Sequence, residues 1–107
     1  MKIIPCQYLG EEVELSPERL QHIQERHPGT LPEYEQQLEE TITNPDLIRR
    51  SEKDPSALIF SKWFTSIRTG RFLIAIVVAE SDSTRFWIVT AYTARKITGG
   101  ITVWTKT

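Results

Sequence analysis

The sequence predicts an α+β fold in which two N-terminal helices pack on one face of a four- to five-stranded antiparallel sheet. Helix start and stop signals bracket two segments between residues 16 and 44. After Pro45 the chain is rich in Val, Ile, Thr, Phe and Trp, and turn sequences interrupt it at short intervals. A length of 107 residues, with 39% hydrophobic and 25% charged side chains, matches one domain over residues 1–107.

The N-terminal segment predicts one short strand followed by a helix. The strand lies in KIIPCQYLGEEVEL, with a turn at Gly10. Ser16 is a good N-cap for the first helix, Pro17 fits its first position, and Pro28-Gly29 ends it.

The second helix is predicted from a capping box, in which Thr30 stands three residues before Glu33. Apolar side chains then follow at four-residue spacing as far as Ile42, and Asn44-Pro45 closes the helix. The strands of an antiparallel meander are expected near residues 46–52, 57–67, 71–80, 85–93 and 101–105.

Apolar runs and cysteine content bear on location. No run approaches the roughly 18 apolar residues of a membrane helix, and the N-terminal apolar stretch is too short for a signal peptide. We therefore expect a cytoplasmic protein without a membrane partner. The lone Cys6 cannot form an internal disulfide, and a free cysteine is more often a small core residue than a nucleophile.

Charge is distributed unevenly along a chain whose net charge is -1. Residues 1–55 carry 6 Lys and Arg against 12 Asp and Glu, whereas residues 56–107 carry 7 against 2. The small net charge argues against indiscriminate, charge-driven nucleic-acid binding. The asymmetry is compatible with one basic face, although solvated charges on separate elements would give the same counts.

The two histidines of the first helix are predicted to face different ways. Turning each residue by about 100° places His22 with Arg19 and Arg26, and places His27 on the apolar side. Because the two imidazoles diverge by roughly 140°, they do not form the same-face pair of a helical zinc site.

Acidic residues are scarce late in the chain. After residue 55 only Glu80 and Asp82 remain, which is little material for a magnesium cage. The sequence therefore predicts neither a metal nor another cofactor.

His27 has two interpretations. It lies at the last turn of the helix, where a half-buried imidazole suits general acid or base catalysis. Alternatively it closes the helix, its cation favoured by the helix dipole and its ring packed on the core. His22 is either part of a solvated basic stripe or an anion contact together with Arg26.

A second candidate cluster lies in IVTAYTARK. Strand alternation puts Thr90 and Tyr92 on one face, and Arg95 and Lys96 follow where the strand ends. These are also ordinary strand and turn residues. Lys62 interrupts an apolar strand, either as a cation for a site or as the lysine of an edge strand.

The order of these features resembles that of the barnase, EndoU, colicin D and RelE-like nuclease superfamily, in particular its small phage- and toxin-associated members. The resemblance covers roughly residues 15–106 and is carried by HIQERHP, TNPD, FSKWF, FLIAIVV and WIVTAYTARKITGG. It implies a metal-independent ribonuclease whose exposed sheet face holds RNA and whose reaction is attack of the ribose 2′-hydroxyl on the adjacent phosphate. It also leaves room for a cognate antitoxin or immunity protein as a partner.

That reaction needs a base, an acid and cations for the phosphorane, and the chain contains candidates for each. The candidate catalytic residues are His27, Thr90, Tyr92 and Lys62. The candidate substrate-binding residues are His22, Arg26, Arg68, Arg95 and Lys96. His27 would be the base or acid, Thr90 a donor to a phosphate oxygen, and Tyr92 a second proton donor or a platform for a base.

A rival interpretation is a non-catalytic module of the same fold that binds RNA or protein, such as an antitoxin-like or phage-host interaction protein.

Overall fold

The computed structural model describes residues 1–80 and 84–106, and within them two helices accompany a seven-stranded mixed sheet. The elements are β1 (Lys2–Cys6), β2 (Glu11–Leu15), α1 (Pro17–Arg26), α2 (Glu35–Thr43), β3 (Leu47–Arg50), β4 (Ala57–Phe64), β5 (Arg71–Ala79), β6 (Phe86–Ala94) and β7 (Ile101–Thr105). The strand order is β1-β2-β6-β5-β4-β3-β7. Asp82, one of the two late acids, lies outside the described residues.

The predicted four- to five-stranded antiparallel sheet is wrong in strand number and in strand direction. The N-terminal segment forms two strands, because a tight turn ending at Gly10, with φ of 67°, folds β2 back on β1. β2 then pairs in parallel with β6, and β7 adds to the other side by pairing with β3. The antiparallel meander from β3 to β6 lies close to the predicted positions.

Helix α1 begins and ends as its sequence predicts. The Ser16 Oγ accepts a hydrogen bond from the Arg19 backbone N–H at 3.2 Å, and Pro17 is the first helical residue. Ile23 is buried in the core, and His27 is the C-cap, its backbone N–H donating to the Ile23 carbonyl at 2.8 Å.

Helix α2 begins later than the predicted capping box. Thr30 does not cap it, because the Thr30 carbonyl accepts from the Tyr34 N–H at 2.9 Å in a turn that precedes the helix. α2 starts at Glu35, and its N-cap Tyr34 makes no side-chain capping hydrogen bond. Leu38 and Ile42 are buried on one side of α2, as the four-residue spacing predicts.

The sheet has two faces of different character. α2 packs against β1, β4 and β5, so the inner face of the sheet is the one beneath α2. Phe60 and Leu73 lie on it in the buried core, together with Leu38 and Ile42 of α2. We call the opposite face the outer face. None of the described helices is long and apolar enough to cross a membrane.

Candidate active site on the outer face of the sheet

Strand register brings four polar residues to the outer face. Tyr92 of β6 and Ser61 of β4 both lie opposite Ile74 of β5, so their side chains share one face. One row further along the sheet, Thr90 of β6 and Arg49 of β3 occupy the same face through their cross-strand partners. These four residues therefore come from three strands, β3, β4 and β6.

Helix α1 adds His27 to this face. β2 runs parallel to β6 and leads directly into α1, which packs against β6. The end of α1 thereby comes to lie beside the last residues of β6. The half-buried His27 ring contacts the Tyr92 ring, with ring centroids 5.3 Å apart and ring planes inclined at 32°.

Arg49 is a buried cation in this site, with 4% of its surface exposed. Its Nη1 donates to the carbonyls of Thr98 at 2.6 Å and Gly99 at 2.5 Å, which ties the β6–β7 loop to β3. Burial lowers the pKa of the Arg49 guanidinium, and its electrostatic interaction with Tyr92 acts in the opposite direction.

Three buried polar atoms on this face lack a hydrogen-bond partner among the described residues. They are the Arg49 Nε, the Ser61 Oγ and the Thr90 Oγ1. A buried donor without a partner costs roughly 1–3 kcal/mol, and such atoms are expected where a ligand completes the hydrogen bonding. We call His27, Arg49, Ser61, Thr90 and Tyr92 together the outer-face site.

Lys62, a predicted catalytic residue, lies away from the outer-face site. Its partner in β5 is the core residue Leu73, which places it on the inner face. The Lys62 Nζ donates to the Asn44 carbonyl at 2.9 Å and lies 3.5 Å from the Asp46 Oδ1. These contacts join β4 to the end of α2.

The predicted substrate-binding cations gather at one end of the sheet. Arg68 lies in the turn between β4 and β5, and Arg95 and Lys96 follow the end of β6, which pairs with the start of β5. Arg26 ends α1 beside the same end of β6. All four are exposed, whereas His22 is half-buried.

Sequence reasoning missed Arg49 and Ser61. Ser61 carried a signal, because a serine within a largely apolar strand is unusual. In LIRR, alternation places one arginine on each face, but which of the two is buried depends on the register with β4. In ALIFSKWF the charged Lys62 was selected as a candidate, and the neighbouring Ser61 was not.

The donor groups of the outer-face site are an imidazole, a phenol, two hydroxyls and a guanidinium. Among residues 1–80 and 84–106, no group of three or more His, Cys, Asp or Glu side chains is placed to hold a metal ion.

A model of a known protein family matches most of the chain. The family model described as phage-Barnase-EndoU-ColicinE5/D-RelE like nuclease2, PBECR2, matches residues 6–105. No curated protein and no solved structure matches the chain.

Proposed function

This chain belongs to the phage-Barnase-EndoU-ColicinE5/D-RelE like nuclease2 family and is a nuclease-type domain, and we propose that it cleaves RNA without a metal ion. The observation that carries the proposal is the contact of the His27 and Tyr92 rings on the outer face. It joins a proton-transfer group to a sheet face whose buried donors have no hydrogen-bond partner within residues 1–80 and 84–106. Nucleic acid is the substrate class that the family indicates, and RNA is the part that we add.

In the proposed reaction the ribose 2′-hydroxyl loses its proton to a base and its oxygen attacks the adjacent phosphorus. The bond from phosphorus to the 5′-oxygen breaks, and that oxygen takes a proton from an acid. The products carry a 2′,3′-cyclic phosphate and a 5′-hydroxyl. His27 fills one of the two proton-transfer roles, and the Tyr92 phenol is the candidate for the other.

Arg49 and Thr90 would stabilise the phosphorane. The Arg49 guanidinium supplies positive charge, and the Thr90 hydroxyl, two residues from Tyr92 on β6, donates to a non-bridging oxygen. Preorganised donors in a poorly hydrated site stabilise developing charge more than donors in water do.

A cleavage assay tests the mechanism. Single-stranded RNA incubated with the protein in EDTA should be cut and should yield 2′,3′-cyclic phosphate ends. The same strand with one 2′-deoxyribose at the cleaved position should survive there, because the nucleophile is missing. Cleavage that vanishes with EDTA and returns with magnesium would contradict the metal-free reaction, and binding of RNA without cleavage would favour a non-catalytic module.

The dependence of the rate on pH assigns the role of His27. As a base it must be neutral, so the rate rises with pH until the imidazole is deprotonated. As an acid it must be protonated, so the rate falls as pH rises through the same range. If kcat/KM neither rises nor falls with pH over this range, His27 does not transfer a proton in the reaction.

A further inference from the structure

Trp63 is an exposed aromatic side chain on the same sheet face as the outer-face site. It follows Ser61 by two residues on β4 and has 42% of its surface exposed. The ring is held from two sides. Phe72 meets it edge to face, with centroids 4.9 Å apart and planes at 74°, and the Gly70 backbone lies so close that a Cβ there would be 2.6 Å from the Trp63 Cζ2.

The distance between Trp63 and Tyr92 follows from the sheet register. Trp63 pairs with Phe72, which pairs with Ala94, two residues beyond Tyr92 on β6. With strands spaced at about 4.8 Å and residues at about 3.4 Å along a strand, the two Cα atoms are about 12 Å apart. Trp63 thus lies next to the site and within reach of a substrate that occupies it.

Two cations lie at the end of the sheet that carries Trp63, where the Trp63 backbone N–H also donates to the Asp46 carboxylate at 2.9 Å. Arg68 and Arg95 are exposed at the end of the sheet where Trp63 lies.

Arg68 and the following Thr69 have φ of 49° and 84°. Left-handed conformations at residues other than glycine cost free energy and are concentrated at functional sites. The turn that carries Arg68 leads directly into Gly70 against the Trp63 ring.

We propose that Trp63 is the stacking platform for an unpaired nucleobase of a single-stranded RNA, close to the phosphate held at the outer-face site. This inference rests on the proposed function for the identity of the ligand. A rigid, exposed ring among cations is the combination that single-strand binding proteins use, the ring for the base and the cations for the backbone. The base must be unpaired, because in a duplex its faces are stacked on neighbouring bases.

Binding measurements on a strand that cannot be cleaved separate this inference from catalysis. The probe is a fluorescein-labelled 2′-O-methyl RNA of about ten nucleotides, with the nucleophilic hydroxyl blocked, and the readout is fluorescence anisotropy. Trp63→Ala should weaken binding about 5- to 150-fold, which corresponds to the roughly 1–3 kcal/mol per base found for base–aromatic stacking. Trp63→Phe should stay within a few-fold of the parent, because it retains an aromatic ring.

Two controls make the result specific. Trp104 pairs with Ile48, a core residue of the inner face, so Trp104→Phe should leave affinity unchanged. The same labelled strand annealed to its complement should bind with an affinity that Trp63→Ala does not alter. Thermal melting of each variant establishes that the protein is folded in the assay.

The outcomes distinguish a stacking role for Trp63 from the proposed catalysis. A folded Trp63→Ala protein with parental affinity for the single strand, or a parent that does not bind the strand, overturns the inference. Loss of affinity in Trp63→Ala with rescue in Trp63→Phe supports it, even if the parent cleaves no RNA. In that last case the proposed catalysis fails while the stacking platform stands.

Discussion

His27 illustrates how one residue combines a structural and a chemical role. Its backbone N–H donates to the Ile23 carbonyl and closes α1, while its side chain packs against the Tyr92 ring. The sequence left capping and catalysis as alternatives, and the geometry is compatible with both at once. Backbone capping does not depend on the imidazole, so the two roles can be separated by substitution.

Replacing His27 by glutamine should therefore abolish turnover while the free energy of unfolding changes by less than about 1 kcal/mol. Glutamine retains a hydrogen-bonding side chain but cannot transfer protons near neutral pH. His22→Gln is the matched control, because His22 lies on the same helix without a ring contact to Tyr92 among those described, and should weaken binding at most. RNA cleavage and thermal melting in one buffer make the comparison. A folded, fully active His27→Gln protein would rule out proton transfer by His27.

Arg49 is expected to matter for both stability and activity. Arg49→Met removes the two hydrogen bonds to the β6–β7 loop, and bonds to charged groups contribute roughly 1.5–3 kcal/mol each. We expect a loss of about 2 kcal/mol or more in urea unfolding, faster hydrogen exchange in residues 95–100, and little cleavage by the folded fraction. Arg49→Lys keeps the charge and should recover part of the activity. Unchanged stability in Arg49→Met would show that these bonds contribute nothing net.

Among the secondary-structure elements, the parallel contact between β2 and β6 is the shortest pairing and the one that directs α1. Only two residue pairs form it. An ion pair reinforces it, in which the Arg85 Nε and Nη2 donate to the Glu14 carboxylate at 3.1 and 2.9 Å. Because α1 continues from β2, this contact helps to bring His27 to the end of β6.

The Glu14 ion pair should make stability depend on pH. Hydrogen bonding from Arg85 lowers the pKa of the Glu14 carboxyl below its usual 4.5. A lowered folded-state pKa stabilises the fold above the usual value, and this contribution is lost as pH falls through the folded-state value. Glu14→Gln should thus be less stable than the parent at pH 7 and equally stable at low pH. Urea unfolding at a series of pH values measures this, and a difference that persists undiminished in acid would contradict it.

The folded molecule gathers exposed cations at one end of its sheet. The chain is acidic in its first half and basic in its second, and the fold brings exposed cations from α1, the β4–β5 turn and the end of β6 to one end of the sheet. A protein of net charge -1 can thereby present a local basic surface.

The salt dependence of RNA binding tests this surface. With about three to five phosphates neutralised, the slope of log affinity against log salt should be about -2 to -5. Arg95→Ala combined with Lys96→Ala should make the slope shallower by about 1 to 2 and lower the affinity at low salt. The double substitution Arg50→Ala and Lys53→Ala, of two exposed cations at the opposite end of the sheet, is the charge-matched control, and it should have a smaller effect. Equal slopes for the parent and the Arg95 and Lys96 variant would place the docking surface elsewhere.

Sequence alone was enough for the elements whose information is local. Ser16 and Pro17 start α1, because the Ser16 side chain accepts a hydrogen bond from a backbone N–H of the first turn and Pro17 has no N–H that needs a partner. Alternating β-branched and aromatic residues predict the strands from residue 47 onward. The position of His27 at a helix end and the shared face of Thr90 and Tyr92 follow from the same local periodicities. The nuclease superfamily was also identified from the order of these segments, and the family match confirms it.

Only the tertiary structure brought these residues to one site and showed which others join it. Strand pairing depends on contacts between distant segments, so neither the parallel β2–β6 contact nor the addition of β7 to β3 has a local signature. Register across β3 to β6 places the buried Arg49 and Ser61 on the same face as Tyr92 and turns Lys62 to the other face. A shift of one residue reverses every side chain of a strand, which is why the composition of the site is a property of the assembled sheet.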